Sequence, residues 1–156
     1  MLFRSYESAE VLVVTTKHSD KQWIMDSGCS FHMTPNQGWF ETYEENVSGD
    51  VLLGNNKPCK VIDIGSVRIK THDGVERILS GVKHVPDLRR NLISLSMLDD
   101  HGFCWKGEKN ALKVTNGSLV VMKGVRGRGF YFLEGSTVIG DVAAVSKPRE
   151  RSLASL

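Results

Sequence analysis

A chain of 156 residues, 40% hydrophobic and 24% charged, is long enough for one soluble domain with a real core plus a tail. A formal net charge of +2 is too small to argue for nucleic acid or a membrane surface, and no run of 18 apolar residues exists to span a bilayer. The three cysteines, Cys29, Cys59 and Cys104, are widely spaced and odd in number, which excludes a disulfide framework and suits a reducing compartment.

Residues 1–20 read as a linker or loosely held arm, with Val11, Val13 and Val14 as a short strand candidate. The opening Met1-Leu2-Phe3-Arg4 lacks a signal peptide's features, so cytoplasmic residence is expected. From Trp23 onward the texture is β, with short strand-like stretches punctuated by turn residues. Val51-Leu52-Leu53 precedes the turn signal Gly54-Asn55-Asn56, and Val61-Ile62-Asp63-Ile64 precedes Gly65. Val67 and Ile69 alternate with Arg68 and Lys70, the period of a half-buried strand. Asp73-Gly74 predicts a hairpin whose two-residue turn sets Ile69 opposite Ile78. Leu88, Leu92, Leu95 and Leu98 form a helical stripe, capped by Asp87 and ended by Gly102. Asn116-Gly117 predicts a second hairpin, with Val114 opposite Leu119 and Leu112 opposite Val121. Residues 141–156, with Lys147-Pro148-Arg149-Glu150-Arg151, read as a frayed, solvated tail.

The run Trp23-Ile24-Met25-Asp26-Ser27-Gly28-Cys29-Ser30 carries the chemistry. An apolar strand runs straight into an acid, a hydroxyl and a glycine. The glycine permits a sharp or close-packed backbone, and the hydroxyl can bond neighbouring backbone. That arrangement would hold a carboxylate at the mouth of a folded core. The tripeptide alone is more often the signature of a turn after a strand.

Its surroundings extend the pattern. The order Trp-Ile-x-Asp-Ser-Gly-Cys-Ser-x-His-Met-Thr, Trp23 to Thr34, resembles the protease region of copia-type LTR-retrotransposon Pol polyproteins from plants. Leu53-Gly54-Asn55, Ile64-Gly65-Ser66-Val67, Val85-Pro86-Asp87-Leu88 and Asn91-Leu92-Ile93-Ser94-Leu95 agree in order and spacing. Gly129-Phe130-Tyr131-Phe132-Leu133 is similar to the element that opens the segment before integrase. The resemblance implies a mainly β fold: a retropepsin-like closed β-barrel over residues 21–103 with one short helix, then the start of a pre-integrase segment, a β-hairpin region, over 104–140. It implies an aspartic endopeptidase in which each chain contributes one Asp-(Thr/Ser)-Gly loop and two chains make one site. Asp26 would be the catalytic carboxylate, Ser27 would brace the loop against its dimer mate, and Gly28 would let the two loops approach. The region from about Val51 to Ile69 would be the flap over the substrate. The implied partners are a second copy of the chain and a polyprotein peptide, with no cofactor, metal, nucleic acid or membrane. The expected location is the cytoplasm, or a virus-like particle for an intact parent element.

Two departures accompany the resemblance. Leu92-Ile93-Ser94 stands where retropepsins have two apolar residues and a glycine packing behind the catalytic loop, and Ser96 stands where many relatives have glycine. No Cys-x2-Cys-x4-His-x4-Cys knuckle occurs, so the chain resembles a fragment of a polyprotein. The alternative to the enzyme is an inert β-barrel fragment serving as a structural or assembly module.

Other constellations have bland readings beside functional ones. Cys29-x2-His32 with Cys59 and His84 would supply four zinc ligands, but the last two are scattered, and a buried cysteine and a packed histidine are the expected outcome. Arg89-Arg90 and Lys123, Arg126 and Arg128 lack interleaved stacking aromatics and read as solvated surface. Gly124–Gly129 lacks the lysine and strand-to-helix context of a phosphate loop and reads as a flexible hairpin tip. Trp39, Phe40 and Tyr43 read as barrel or cover residues.

Overall fold

The computed structural model describes residues 21–44, 49–52 and 57–140; the arm, the tail and the Leu53–Asn56 turn lie outside the described residues. Among the described residues, thirteen strands and one α-helix follow in chain order. They are β1 (Trp23–Asp26), β2 (Met33–Thr34), β3 (Phe40–Glu44), β4 (Gly49–Leu52), β5 (Pro58–Val61), β6 (Asp63–Lys70), β7 (Glu76–His84), β8 (Asn91–Ser94), α1 (Leu95–Asp100), β9 (Cys104–Glu108), β10 (Ala111–Asn116), β11 (Leu119–Gly127), β12 (Phe130–Leu133) and β13 (Ser136–Thr137).

Among the described residues, the mainly β architecture and the single short α-helix match the expectation; the closed barrel does not. Eleven strands form one sheet in the order β13-β6-β7-β2-β8-β1-β12-β11-β10-β9, with β3 paired to β6, and β4–β5 stand apart as a two-stranded sheet. Among the described residues no sheet closes, because the terminal strands β13 and β9 do not pair with each other. β13 is only two residues long, and all five residues of β9 are exposed, with no inward-facing alternation to bury against a closing partner. The sheet instead wraps one core. Trp23 and Met25 of β1, Val67 and Ile69 of β6, Ile93 of β8, Leu112 of β10 and Met122 of β11 share a buried cluster with Leu95 and Leu98 of α1.

A second cluster lies on the other side of β1. There Ile24, Met33, Leu92, Val85 and Leu88 pack against Val51, Cys59 and Val61 of the β4–β5 hairpin. One face of β1 therefore belongs to the main core and the other to this hairpin, as the alternation of a strand buried on both sides requires.

The helix is shorter than its leucine stripe predicts. Asn91–Ser94 are extended and wholly buried, paired in parallel with β1 from Trp23↔Asn91 to Asp26↔Ser94. Ladder bonds on both sides outweigh the periodicity of Leu88 and Leu92. Ser94, not Asp87, caps α1, its hydroxyl accepting from the Met97 N–H at 3.0 Å.

Both predicted hairpins form, each with its register displaced. Asp73-Gly74 sits in a five-residue connection, so Ile69 faces Arg77 and Ile78 faces Arg68. The Asp73 carboxylate accepts from the Thr71 hydroxyl (2.7 Å), the Val75 N–H (3.2 Å) and Arg77 (3.2 Å), and these bonds stabilise the longer loop. At the second hairpin Gly117-Ser118 make the turn, with Gly117 at φ +66°, and Asn116 pairs with Leu119. A bulge then sets Val114 opposite Met122 and Leu112 opposite Gly124. Gly124–Gly127 are not a flexible tip but strand, paired to β10 or β12; only Arg128-Gly129, both at positive φ, form the turn. Gly65 is needed for close approach: a Cβ there would stand 1.9 Å from the Thr42 carbonyl oxygen of β3.

Residues beyond 103 extend the same sheet. β12 pairs antiparallel with β1, Ile24↔Phe132 and Met25↔Tyr131, and the Trp23 indole N–H donates to the Thr137 hydroxyl at 2.9 Å.

Candidate functional site

β1 is buried over Trp23-Ile24-Met25 and reaches the surface at Asp26, with Ser27 and Gly28 exposed beyond it. Strand alternation puts Asp26 on the same side of β1 as Ile24, the side against which the β4–β5 hairpin packs. The predicted flap region is thus on the same side as the carboxylate, although it includes strand β6, which belongs to the main sheet.

The Asp26 loop is braced by its own atoms and by β8. Asp26 Oδ1 accepts the Gly28 N–H at 2.7 Å. A Cβ on Gly28 would sit 3.3 Å from that same oxygen, so the glycine leaves room for the tight turn around the carboxylate. β8 is threaded between β1 and β2: it pairs in parallel with β1 and, through Met33↔Leu92, antiparallel with β2. Leu92-Ile93-Ser94 therefore packs directly behind the Asp26 loop. Ser94 ties the two segments together. Its hydroxyl donates to the Cys29 carbonyl at 2.8 Å while capping α1.

At the outer end of β8, Asn91 makes a second polar anchor. Its Oδ1 accepts from the Thr34 hydroxyl (2.6 Å) and the Asn36 amide (2.9 Å), and its Nδ2 donates to the Gln22 carbonyl (2.9 Å). These bonds fix β2 and the start of β1 to the same strand.

Cys29 and His32 are brought near the loop but not into a metal-ligating array. The Cys29 Sγ lies 3.9 Å from the Asp26 carbonyl oxygen, and burial, with the Asp26 charge second, pushes its thiol up to about 12. Such a thiol is a poor nucleophile. His32 is fully buried, and its Nδ1 accepts the Ser94 N–H at 2.9 Å. Burial, with His101 second, pushes its imidazole down to about 3, so it stays neutral. Cys59 lies in the hairpin core, and His84 Nδ1 lies 2.6 Å from the Tyr43 hydroxyl. Among the described residues no group of three or more His, Cys, Asp or Glu side chains is placed to hold a metal ion.

Trp39 and Phe40 cover the main core, with Trp39 5.7 Å from Trp23 between ring centroids. Arg90 lies over the Phe130 ring at 4.9 Å and Arg126 over Tyr131 at 5.9 Å, so these two cations cover aromatic faces. A half-open cavity of about 270 Å³, lined in part by Lys21, Trp39 and Thr137, lies at the far end of β1 from Asp26.

Ser94 and Asn91 were not singled out as site residues from the sequence. A capping signal was available for Ser94, a serine directly before a short apolar helical run, but its bond to Cys29 depends on the threading of β8.

The family described as "Pol polyprotein, beta-barrel domain" matches residues 23–103. The chain is 40% identical over 106 residues to the retrovirus-related Pol polyprotein from transposon TNT 1-94 of Nicotiana tabacum, covering 68% of this chain and 8% of that protein. It is 34% identical over 83 residues to a putative transposon Ty5-1 protein of Saccharomyces cerevisiae, covering 53% of this chain and 52% of that protein. The chain thus spans a small part of the first relative and about half of the second. No solved structure matches the chain at a significant level.

Proposed function

This chain belongs to the Pol polyprotein beta-barrel domain family, as a region of a retrotransposon Pol polyprotein, and on that premise we propose that Asp26-Ser27-Gly28 is one half of an aspartic peptidase centre. Two chains, each giving one Asp26, complete the site and cleave the polyprotein. The observation that carries the reading is the setting of Asp26. It stands at the end of a doubly buried strand, its Oδ1 fixed by the Gly28 N–H at 2.7 Å.

The chemistry follows from pairing two such carboxylates. At about 3 Å two carboxylates cannot both ionise, so they share one proton. The charged Asp26 takes a proton from a water, whose oxygen attacks the peptide carbonyl. The neutral Asp26 of the other chain donates its proton to the developing oxyanion. Collapse of the tetrahedral intermediate returns the oxyanion's proton to the second Asp26, while the amine leaves with the proton that the first Asp26 drew from water. Gly28 leaves room for the loops to meet, Ser27 is exposed where it can bond across to the other loop, and the β4–β5 hairpin covers the substrate side.

The test is a peptidase assay of the full chain on a defined mixture of unstructured peptides, read by mass spectrometry across pH, beside Asp26→Asn. Cleavage by the wild type with less than about 1% remaining in the variant supports the proposal, since losing an acid-base group costs roughly 10²–10⁴-fold. Equal cleavage by the two proteins refutes it. Absence of cleavage in a dimeric, folded wild type favours the alternative, an inert module of the polyprotein.

A further inference from the structure

We infer that His32 is a positioning residue for the Asp26 loop, its imidazole standing in for a strand acceptor that the Ser94 amide lacks. The β2–β8 ladder consists of one pair, Met33↔Leu92. Two residues further along β8, the Ser94 N–H points to the same side, where β2 offers no further ladder partner. His32 Nδ1 accepts that N–H at 2.9 Å instead. The Ser94 hydroxyl meanwhile donates to the Cys29 carbonyl at 2.8 Å. Ser94 therefore holds the loop at two places, its middle through Cys29 and its far end through His32, and in the β1–β8 register it stands opposite Asp26. The His32 carbonyl adds a third tie by accepting the Lys83 N–H at 2.9 Å.

The histidine is not explained as filler. Accepting through Nδ1 puts the ring proton on Nε2, a buried atom with no hydrogen-bond partner among the described residues. An unpartnered buried donor is unfavourable, and an apolar side chain would avoid that cost. What the apolar side chain would lack is the acceptor. The depressed basicity of the ring fits this role, because a neutral imidazole keeps Nδ1 available in mild acid.

The consequence for catalysis rests on the aspartic-peptidase reading; the tie itself does not. The experiment compares full-length wild type, His32→Leu and His32→Asn. Asparagine places an oxygen close to the position of Nδ1, whereas leucine supplies no acceptor. Amide hydrogen exchange is read over residues 27–32, with the β6–β7 amides as internal reference. Turnover is read on whichever peptide of the mixture the wild type cleaves fastest.

The expected result is exchange over 27–32 accelerated at least about tenfold in His32→Leu, with β6–β7 unchanged and most of the protection recovered in His32→Asn. In the same variant kcat falls roughly 10²-fold with KM within about twofold, as a misplaced reacting group requires. If His32→Leu does not fold, His32→Gln replaces it, since its longer side chain carries the amide away from the Nδ1 position. Unchanged exchange in the acceptor-less variant, or equal damage from His32→Asn, overturns the inference. Wild-type protein that cleaves nothing would count against the peptidase reading alone, and the exchange comparison would still decide the role of His32.

Discussion

The Ser94 hydroxyl lies 2.8 Å from the Cys29 carbonyl oxygen, across 65 residues of sequence, and 3.0 Å from the Met97 N–H of its own helix. One oxygen thus donates to the candidate catalytic loop and accepts from the first turn of α1. Ser94→Ala removes both bonds while leaving the amide held by His32. A loss of about 1–2 kcal/mol is expected in denaturant unfolding, the cost of a lost N-cap and of a lost bond to a half-buried loop carbonyl. A change within about 0.3 kcal/mol would show that neither bond contributes to stability.

The three cysteines should differ in reactivity. Cys104 is exposed, Cys59 is buried, and Cys29 is half-buried beside the Asp26 carboxylate, with its thiol pushed up to about 12. Iodoacetamide at pH 8 should label Cys104 first in the folded chain and leave Cys29 largely unmodified until denaturant is added. Labelling followed by peptide mapping checks this. Fast labelling of Cys29 would contradict the environment described for it.

Stability in acid should carry the signature of His32. Its ordinary value is 6.5 and in the fold it lies at about 3, so between these values the unfolded chain binds a proton that the fold refuses. Stability therefore falls as the pH drops from about 6.5 toward 3, and the contribution is flat above 6.5. The effect is on the order of a few kcal/mol over the whole window. Thermal unfolding of wild type and His32→Asn at pH 7, 5.5 and 4 tests it. The variant has no titrating ring, so its decline should be the shallower one; parallel declines would refute the assignment.

The rate of a paired-carboxylate site should be bell-shaped in pH, with both limbs belonging to the pair and an optimum on the acid side of neutrality. Its specific activity should also follow the dimer fraction, rising with protein concentration to a plateau. Kinetics combined with sedimentation reads both. Full activity in a monomer, or activity that climbs through pH 8, would exclude the proposed chemistry.

Local features of the fold were legible where a short stretch of chain determines them. The Trp23–Asp26 strand and the two hairpins follow from composition and periodicity. Registers were not legible, because the extra bonds of Asp73 to Thr71, Val75 and Arg77 lengthen one connection and a bulge after Val114 displaces the other. The leucine stripe misled for a physical reason: Leu92 and Ile93 belong to a strand buried on both faces, and such a strand shows no alternation to set against a helical period. Asp26-Ser27-Gly28 was readable as a candidate loop, whereas its support by Ser94 and His32 was not. That support arises only when β8 threads between β1 and β2, a non-local pairing that no sequence window contains.

The pairing of β12 with β1 sets a lower limit on the piece of polyprotein that can present Asp26 in this arrangement. The family match ends at residue 103, yet one hydrogen-bonding edge of the Asp26 strand is satisfied by Tyr131 and Phe132. A protein cut after residue 103 would carry that edge bare, beside its candidate catalytic loop, as a template for pairing with another copy. A break in the chain between residue 103 and β12 is therefore expected to loosen the Asp26 loop and to leave a remnant prone to aggregate.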